Sequence, residues 1–412
     1  MNIVIDWIKQ LGTSHDDSAT GIAVDRDGDI YISGRTFGEL SEDNPAGAED
    51  AWLARYNPRG DRVWIRQIGT ASDDSAAGIA IDEQGDIYTT GRTFGALARE
   101  SHNGDEDAWL AKFNAKGEQL WIEQVGSAHD DSAEAIALDR HNNIYITGRT
   151  FGCLDEENYS QAEHHDVWLA KYDLDGRQLW VRQLGSVGAD RGYGVTTDEK
   201  GNVYITGSTT GVLEAENGTG GLDAWLAKYD PDGNKLWIRQ LGSPSGYDSS
   251  AGVATDVEGN IIITGYTSGT LDAKGAAGYY DAWIAKYNPR GDRLWVRQLG
   301  SSSYSYDAAC AIATDAAANI YLTGNTSGVL EAGTRVRGMD VWVAKYNPEG
   351  DRLWIKQLGS SGYDGSSGVA IDSRGYIYIT GKTSGDIEEG NSAGGEDAWI
   401  AKLHEENGNG SQ

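Results

Sequence analysis

Aspartate is the residue whose spacing first suggests chemistry in this chain. One Asp stands at the same position in each of seven similar segments: Asp17, Asp74, Asp131, Asp190, Asp248, Asp307 and Asp364. A ring of carboxylates is able to coordinate a hard cation such as Ca²⁺, and Asp17, Asp74 and Asp131 are the candidate ligands. A structural role also explains an Asp that recurs once per segment, because Asp side chains accept hydrogen bonds from nearby backbone N–H groups. We therefore predict no metal and no cofactor, with a calcium site as the alternative.

The residues that break the sevenfold pattern are better candidates for a ligand site. The first three segments contain the motif Arg-Thr-Phe-Gly, whereas the other four have Ser, Tyr, Asn or Lys at the Arg position. The same three segments have a second Asp before the recurring one, and segments five to seven have Tyr there. Arg and Asp are hydrogen-bonding anchors, and aromatic rings are apolar platforms. The predicted ligand-binding residues are Arg35, Phe37, Arg92, Phe94, Arg149, Phe151, Asp16, Asp73, Asp130, Tyr247, Tyr306 and Tyr363.

Two alternatives to this ligand site stay open on the residues alone. In the first alternative, segments one to three are recent duplicates of one another, and each Arg neutralises the extra Asp. In the other, the acidic loops at 39–43, 155–157 and 388–389 form a solvated surface that serves solubility. No G-x-S-x-G elbow, P-loop or H-E-x-x-H motif is present, so we predict no catalytic residues.

Tryptophan spacing identifies the elements that must position these side chains. The 14 Trp residues fall into two interleaved series with a period of 57 to 59 residues, one in W-[IV]-x-Q-[LIV]-G and the other in D-[AV]-W-[LIV]-A-[KR]. Each period contains four runs rich in Ile, Val, Tyr, Trp and Thr, bounded by Gly, Asp, Asn or Pro, which is typical of strands. Repetition at this period is typical of propeller blades. The sequence predicts an all-β, single seven-bladed β-propeller with four antiparallel strands per blade.

The chain ends predict how the ring closes. The last repeat stops before its fourth strand, and the N-terminal IVIDWIKQLG is a fourth strand without the three before it. Pairing the two removes the exposed edges of an open array. We predict one propeller domain over 1–404 and a flexible tail over 405–412. The expected blades are 13–69, 70–126, 127–185, 186–242, 243–300, 301–359 and 360–403 plus 2–12.

The repeat motifs resemble a known family. GIAVDxxGxIYITGxTxG, D-A-W-x-A-K-Y and GxxLWxRQLG are similar to the bacterial seven-bladed SBBP β-propeller repeat over essentially the whole chain, and GIAVDxxGNIY is more loosely similar to NHL repeats. The first resemblance implies secreted or surface-associated proteins without shared catalytic residues. Some NHL propellers bind RNA through a basic face, whereas this chain has a net charge of −29.

Charge and composition narrow the function classes. A strongly acidic surface repels nucleic acid and anionic lipid, and no run is apolar enough for a membrane span. We expect a non-catalytic binding scaffold that presents an acidic, loop-rich face to a protein or glycan. The alternatives are a cation-dependent propeller hydrolase or lyase with a carboxylate ring at the channel mouth, and a self-assembling structural component. The N-terminus lacks a signal-peptide pattern. We expect a cytoplasmic protein if the chain is complete, and a secreted or surface protein if an upstream signal was removed.

Overall fold

The computed structural model describes residues 2–41, 47–98, 104–155, 164–213, 221–244, 246–272, 278–302, 304–334, 336, 338–388 and 392–406. In these residues the chain forms 28 β-strands and no helix, arranged as seven antiparallel four-stranded sheets. The predicted all-β, seven-bladed propeller is therefore confirmed. Within the same residues, no helix is long and apolar enough to cross a membrane. The predicted acidic loop positions 42–43, 156–157 and 389 lie outside the described residues.

The strands follow the repeat closely, with four per blade. Blades one to three consist of β2 (Asp17–Val24), β3 (Ile30–Thr36), β4 (Asp50–Tyr56), β5 (Arg62–Ile68), β6 (Asp74–Ile81), β7 (Ile87–Thr93), β8 (Asp107–Phe113), β9 (Gln119–Val125), β10 (Asp131–Leu138), β11 (Ile144–Thr150), β12 (Asp166–Tyr172) and β13 (Gln178–Leu184). Blades four to six consist of β14 (Asp190–Thr197), β15 (Val203–Thr209), β16 (Asp223–Tyr229), β17 (Lys235–Leu241), β18 (Asp248–Thr255), β19 (Ile261–Thr267), β20 (Asp281–Tyr287), β21 (Arg293–Leu299), β22 (Asp307–Thr314), β23 (Ile320–Thr326), β24 (Asp340–Tyr346) and β25 (Arg352–Leu358).

Blade seven joins the two ends of the chain. It consists of β26 (Asp364–Ile371), β27 (Ile377–Thr383), β28 (Asp397–Glu406) and β1 (Asn2–Leu11), in that order across the sheet. β28 extends to Glu406, two residues into the segment expected to be a flexible tail. It extends because Asn2 pairs with Glu406 and because Glu405 accepts a hydrogen bond of 3.0 Å from Trp354 Nε1 in blade six. Residues 407–412 lie outside the described residues.

The first strand of each blade lies nearest the propeller axis. β2, for example, contacts the first strands of both neighbouring blades, β6 and β26. A β-bulge interrupts its pairing with β3 between Ala19 and Gly21. A Cβ atom on Gly21 would lie 3.1 Å from Ile79 of the next blade, so the small residue predicted at this position allows the strands to approach.

The two tryptophan series hold neighbouring blades together in different ways. The third-strand series, represented by Trp52, is fully buried in the core between sheets. In the fourth-strand series, Trp7 donates a hydrogen bond of 3.4 Å to the Pro58 carbonyl of the next blade. The Trp7 ring also lies against Gly60, which has a φ of 84° and where a Cβ atom would come within 2.9 Å of that ring. Glycine is therefore required in this turn for both backbone and packing reasons.

Each blade has a loop face and a turn face. The loop face contains the long connections from second to third strands and the connections from fourth strands to the next blade. The turn face contains the short hairpins, such as the turn at Asp25–Gly28 between β2 and β3 and the turn at Asn57–Gly60 between β4 and β5. The first and third strands of each blade begin on the loop face, and the recurring aspartates anchor these two strand ends. The residues that differ between blades lie beside these anchors.

Candidate functional site

The first aspartate series anchors each blade to the previous one. The Asp17 carboxylate accepts hydrogen bonds from the Thr13 backbone N–H at 2.5 Å and from the Thr13 hydroxyl at 3.0 Å. Its own N–H donates to the carbonyl of Glu396 in blade seven at 2.6 Å. Asp74 and Asp131 make the equivalent contacts, and burial raises the pKa of all three carboxyls although their hydrogen bonds oppose the rise. These aspartates therefore have a structural explanation in their hydrogen bonds.

The third-strand aspartates accept hydrogen bonds from a glutamine of the fourth strand. Gln67 Nε2 donates to Asp50 at 2.7 Å and to the Gly38 carbonyl at 3.1 Å, and its Oε1 accepts from the Leu40 N–H at 3.0 Å. The same arrangement recurs in blade seven, where the donor is Gln10 of β1. Among the described residues, no group of three or more His, Cys, Asp or Glu side chains is arranged to hold a metal ion.

A cavity on the loop face collects the side chains that differ between blades. It has a volume of about 510 Å³ and lies among the innermost strands of blades seven, one, two, three and four. Serine and threonine hydroxyls, Glu134 and Tyr193 form part of its wall. Its positive charge comes from one register position of the second strands, occupied by Arg35, Arg92, Arg149 and Lys382. The cavity is thus rich in hydrogen-bond donors within an acidic protein.

Glutamates pair with the cations of this cavity. Arg35 Nη1 lies 3.2 Å from Glu49 Oε1, and Lys382 Nζ lies 2.7 Å from Glu396 Oε2. Arg35 Nε also donates to the Ser18 hydroxyl at 3.2 Å. The Glu49 side chain is only 8% exposed, whereas that of Arg35 is 37% exposed, so the carboxylate binds the guanidinium on its buried side. An arginine has five N–H donors, so donors remain to face a ligand.

Blades two and three share one glutamate between two arginines. Glu106 Oε1 lies 3.5 Å from Arg92 Nη1 and 3.7 Å from Arg149 Nη2. Blade three has His165 where blades one and two have Glu, and burial together with the charges of Arg149 and Arg191 lowers the pKa of His165. A neutral imidazole supplies no countercharge. On this side of the cavity, two arginines therefore share one paired glutamate, and Glu134 is the other carboxylate of the wall.

Tyrosines continue the site through blades five to seven. Tyr280 contacts three other rings, at centroid distances of 4.9 Å from Tyr279, 5.5 Å from Tyr266 and 5.4 Å from Tyr306. Burial raises the pKa of Tyr306 to about 12, so its phenol stays protonated and able to donate at neutral pH. Tyr363 adjoins the cavity, because Lys382 Nζ lies 5.4 Å from its ring centroid. We call these five residues the tyrosine arc.

Comparison with known proteins decides the family. The model of the SBBP beta-propeller repeat matches seven times, at residues 6–40, 63–96, 120–152, 179–214, 236–271, 294–331 and 353–388. The chain belongs to the SBBP beta-propeller repeat family. The resemblance expected from the sequence motifs is thereby confirmed.

Curated relatives of this SBBP propeller are distant and longer. An uncharacterized WD repeat-containing protein of Acanthamoeba polyphaga mimivirus is 22% identical, over 82% of this chain and 31% of the relative. The regulatory protein FlaEY of Caulobacter vibrioides is also 22% identical, over 79% of this chain and 38% of the relative. The chain thus spans about a third of the length of these relatives.

Solved structures share the fold of this SBBP propeller. A polysaccharide lyase superposes with a TM-score of 0.51 at 12% identity, covering 93% of this chain and 89% of that one. A mutant of puromycin hydrolase superposes with a TM-score of 0.52 at 15% identity, covering 90% and 50%. At such identities the likeness shows the fold alone.

The SBBP propeller brings together only part of the predicted ligand site. Arg35, Arg92 and Arg149 line one cavity, and Tyr306 and Tyr363 belong to the tyrosine arc beside it. The predicted side chains that neither line the cavity nor belong to the tyrosine arc are Phe37, Phe94, Phe151, Asp16, Asp73, Asp130 and Tyr247. They lie on the loop face outside it, all of them at least one-third exposed. Arg35 pairs with Glu49, and Arg92 and Arg149 share Glu106.

Several residues of the site are absent from the predicted ligand-binding set, although the sequence already shows Lys and Tyr at the Arg position. They are Lys382, Glu49, Glu106, Glu396, Tyr266 and Tyr280. One signal was available, because the blades with a Glu directly before the D-A-W motif are blades one, two and seven. Those blades all have a cation 14 residues earlier, and blade five has Tyr at both positions. A comparison of these two positions across blades would have identified the pairs.

Proposed function

We propose that this protein is a binding module that takes an anionic group of a protein or glycan ligand into the cavity on its loop face. The observation that supports this most is the set of cations at one register position, each of Arg35, Arg92 and Lys382 paired with a glutamate. Anchored side chains lose little conformational freedom on binding, which favours recognition. The proposal refines the expected acidic contact face, since its centre is rich in cationic donors.

The test uses succinate and inorganic phosphate as probes at low ionic strength. A cavity variant, Arg35→Ala with Arg92→Ala and Arg149→Ala, is compared with a control that removes three turn-face arginines, Arg59→Ala with Arg177→Ala and Arg290→Ala. The control residues are 74–84% exposed and change the net charge equally. We expect the probes to raise the melting temperature of the wild type and the control, but not that of the cavity variant. Equal shifts in all three proteins, or no shift in any, would overturn the proposal.

Catalysis and self-assembly remain alternative predictions. No contact among the described residues favours either of them. The shared fold does not decide between binding and catalysis, because one fold serves many functions. Light scattering over a range of concentrations checks self-assembly, and a strictly monomeric profile would remove that alternative.

A further inference from the structure

The charge around the cavity limits the kind of anion that fits. Each of Arg35 and Lys382 already has a glutamate beside it, and Glu134 adds a carboxylate to the wall. The exposed Asp16, Asp73 and Asp130 lie outside the cavity on the same face. A long polyanion that crosses this face would meet these like charges and be repelled by them. A compact ligand with a single negative charge avoids that repulsion.

The polar wall of the cavity suits a ligand with several hydroxyl groups. Ser18 and Ser75 accept hydrogen bonds from Arg35 and Arg92 at 3.2 Å, and their own hydroxyl hydrogens have no acceptor among the described residues. Glu134 offers a carboxylate acceptor to a ligand hydroxyl, although it also accepts from Ser132 at 3.0 Å. Donors and acceptors are therefore interspersed along one wall. A bare carboxylate or phosphate would use only the donors.

The tyrosine arc supplies a complementary apolar surface next to these polar groups. Tyr363 adjoins the cavity through Lys382, and Tyr279 is 67% exposed at the outer end of the arc. Exposed aromatic groups of this kind are typical of binding surfaces. The face of a saturated ring with its C–H bonds packs well on an aromatic ring. The combination of one anion, several hydroxyls and an apolar ring face describes a sugar acid.

We propose that the cavity binds a sugar acid, with its carboxylate at Arg92 and Arg149, its hydroxyls at Ser18, Ser75 and Glu134, and its ring face toward Tyr363. This inference rests on the proposed function and names its ligand class. The cavity volume of about 510 Å³ lies in the usual range for small-molecule sites. The sugar acid is either free or the terminal residue of an otherwise neutral glycan, and the chemistry recognised is the same.

Isothermal titration calorimetry on the full chain tests this assignment. The probes are glucuronic acid, galacturonic acid, glucose, succinate, tetraglutamate and a neutral oligosaccharide that ends in glucuronic acid. We expect at least one of the two sugar acids to bind at least tenfold more tightly than glucose and succinate. Tighter binding of the capped oligosaccharide than of the monosaccharide would identify a glycan as the source, and equal binding would identify the free sugar acid. Either outcome supports the proposal.

Two variants separate the failure of this inference from that of the proposed function. Tyr363→Ala should weaken sugar-acid binding severalfold and leave succinate binding unchanged. Succinate or tetraglutamate binding that depends on the three arginines, with no preference for either sugar acid, would overturn the sugar-acid assignment and keep the anion site. Absence of binding by every anionic probe would overturn both. If the triple arginine variant does not fold, Arg149→Ser with His165→Leu replaces it, since blade four has Ser208 and Leu222 at these positions.

Discussion

Removal of Arg35 should destabilise the propeller more than removal of Arg92. Both guanidinium groups pair with a buried glutamate and donate to a serine hydroxyl. Arg35 is the only cation found within 4 Å of Glu49 among the described residues, whereas Glu106 keeps Arg149 at 3.7 Å when Arg92 is removed. Arg35→Ala therefore leaves a buried carboxylate without a countercharge, and Arg92→Ala does not.

The exposure of Arg35 determines how much folding free energy its removal should cost. A fully buried ion pair that loses one partner costs about 3–5 kcal/mol, but the Arg35 side chain is 37% exposed, so solvent reduces that figure. An unsatisfied buried acceptor costs about 1–3 kcal/mol, and we expect about 2 kcal/mol for Arg35→Ala and about 1 kcal/mol for Arg92→Ala. At an unfolding entropy of about 2.1 cal/mol/K per residue, this 412-residue chain loses about 2 °C and about 1 °C of melting temperature.

Thermal unfolding monitored by tryptophan fluorescence measures both changes, with Arg35→Ser plus Glu49→Leu as the third variant. That double change removes the charge together with its partner, so we expect its melting temperature to lie closer to the wild type than that of Arg35→Ala. Equal losses for Arg35→Ala and Arg92→Ala would refute the argument from shared partners. A double variant less stable than Arg35→Ala would refute the argument from the unpaired carboxylate.

Three further predictions concern the scaffold. Gly60→Ala should destabilise more than Gly375→Ala in chemical denaturation, because both have a φ of 84° but only Gly60 has a tryptophan ring within 4 Å of an added Cβ; equal losses would assign the whole effect to the backbone. Burial raises the pKa of Asp131 above 3.8, so the fold binds its proton more tightly than the unfolded chain does. The stability due to that carboxyl is fully present below pH 3.8 and is lost as the pH rises through the folded pKa. The melting temperature of Asp131→Asn relative to wild type should therefore increase from pH 4 to pH 7, and a constant difference would contradict the raised pKa. Calcium or chelator should leave the melting temperature unchanged, since Thr13 already donates to Asp17; a shift of several degrees would restore the carboxylate ring as a cation site.

The fold could be predicted because its determinants recur. Trp52 and its six equivalents are each followed by the same Ala-Lys or Ala-Arg pattern, and turn glycines such as Gly60 recur with them. A signal repeated seven times averages out the local variation that makes single elements ambiguous. Ring closure followed from the incomplete ends. The extension of β28 to Glu406 could not be read in this way, because it depends on Glu405 reaching Trp354 in another blade.

The candidate site was only half predictable because its partners are separated by loops. The motif of Arg35 departs from the repeat and is therefore conspicuous, but Glu49 lies 14 residues later, beyond an acidic loop. Phe37 lies two residues after Arg35 in the same motif, a spacing that places both side chains on one face of a continuing strand. The strand β3 ends at Thr36, so the alternation of side chains that would place both on one face no longer applies at Phe37.

The position occupied by Glu49 shows how the scaffold leaves a site free to vary. Its carbonyl accepts the Asp74 N–H at 2.7 Å, and Leu222 and Met339 make the same backbone contact to the following blades at 2.7 Å. Any residue offers a carbonyl, so the link between blades places no demand on this side chain. The fold also places no demand on the side chain at the second-strand position of Arg35, because the pairing of that strand uses the backbone alone. Each blade thus has two neighbouring positions on the loop face whose side chains the links between blades do not constrain, and these hold an ion pair in blades one, two and seven and a tyrosine pair in blade five.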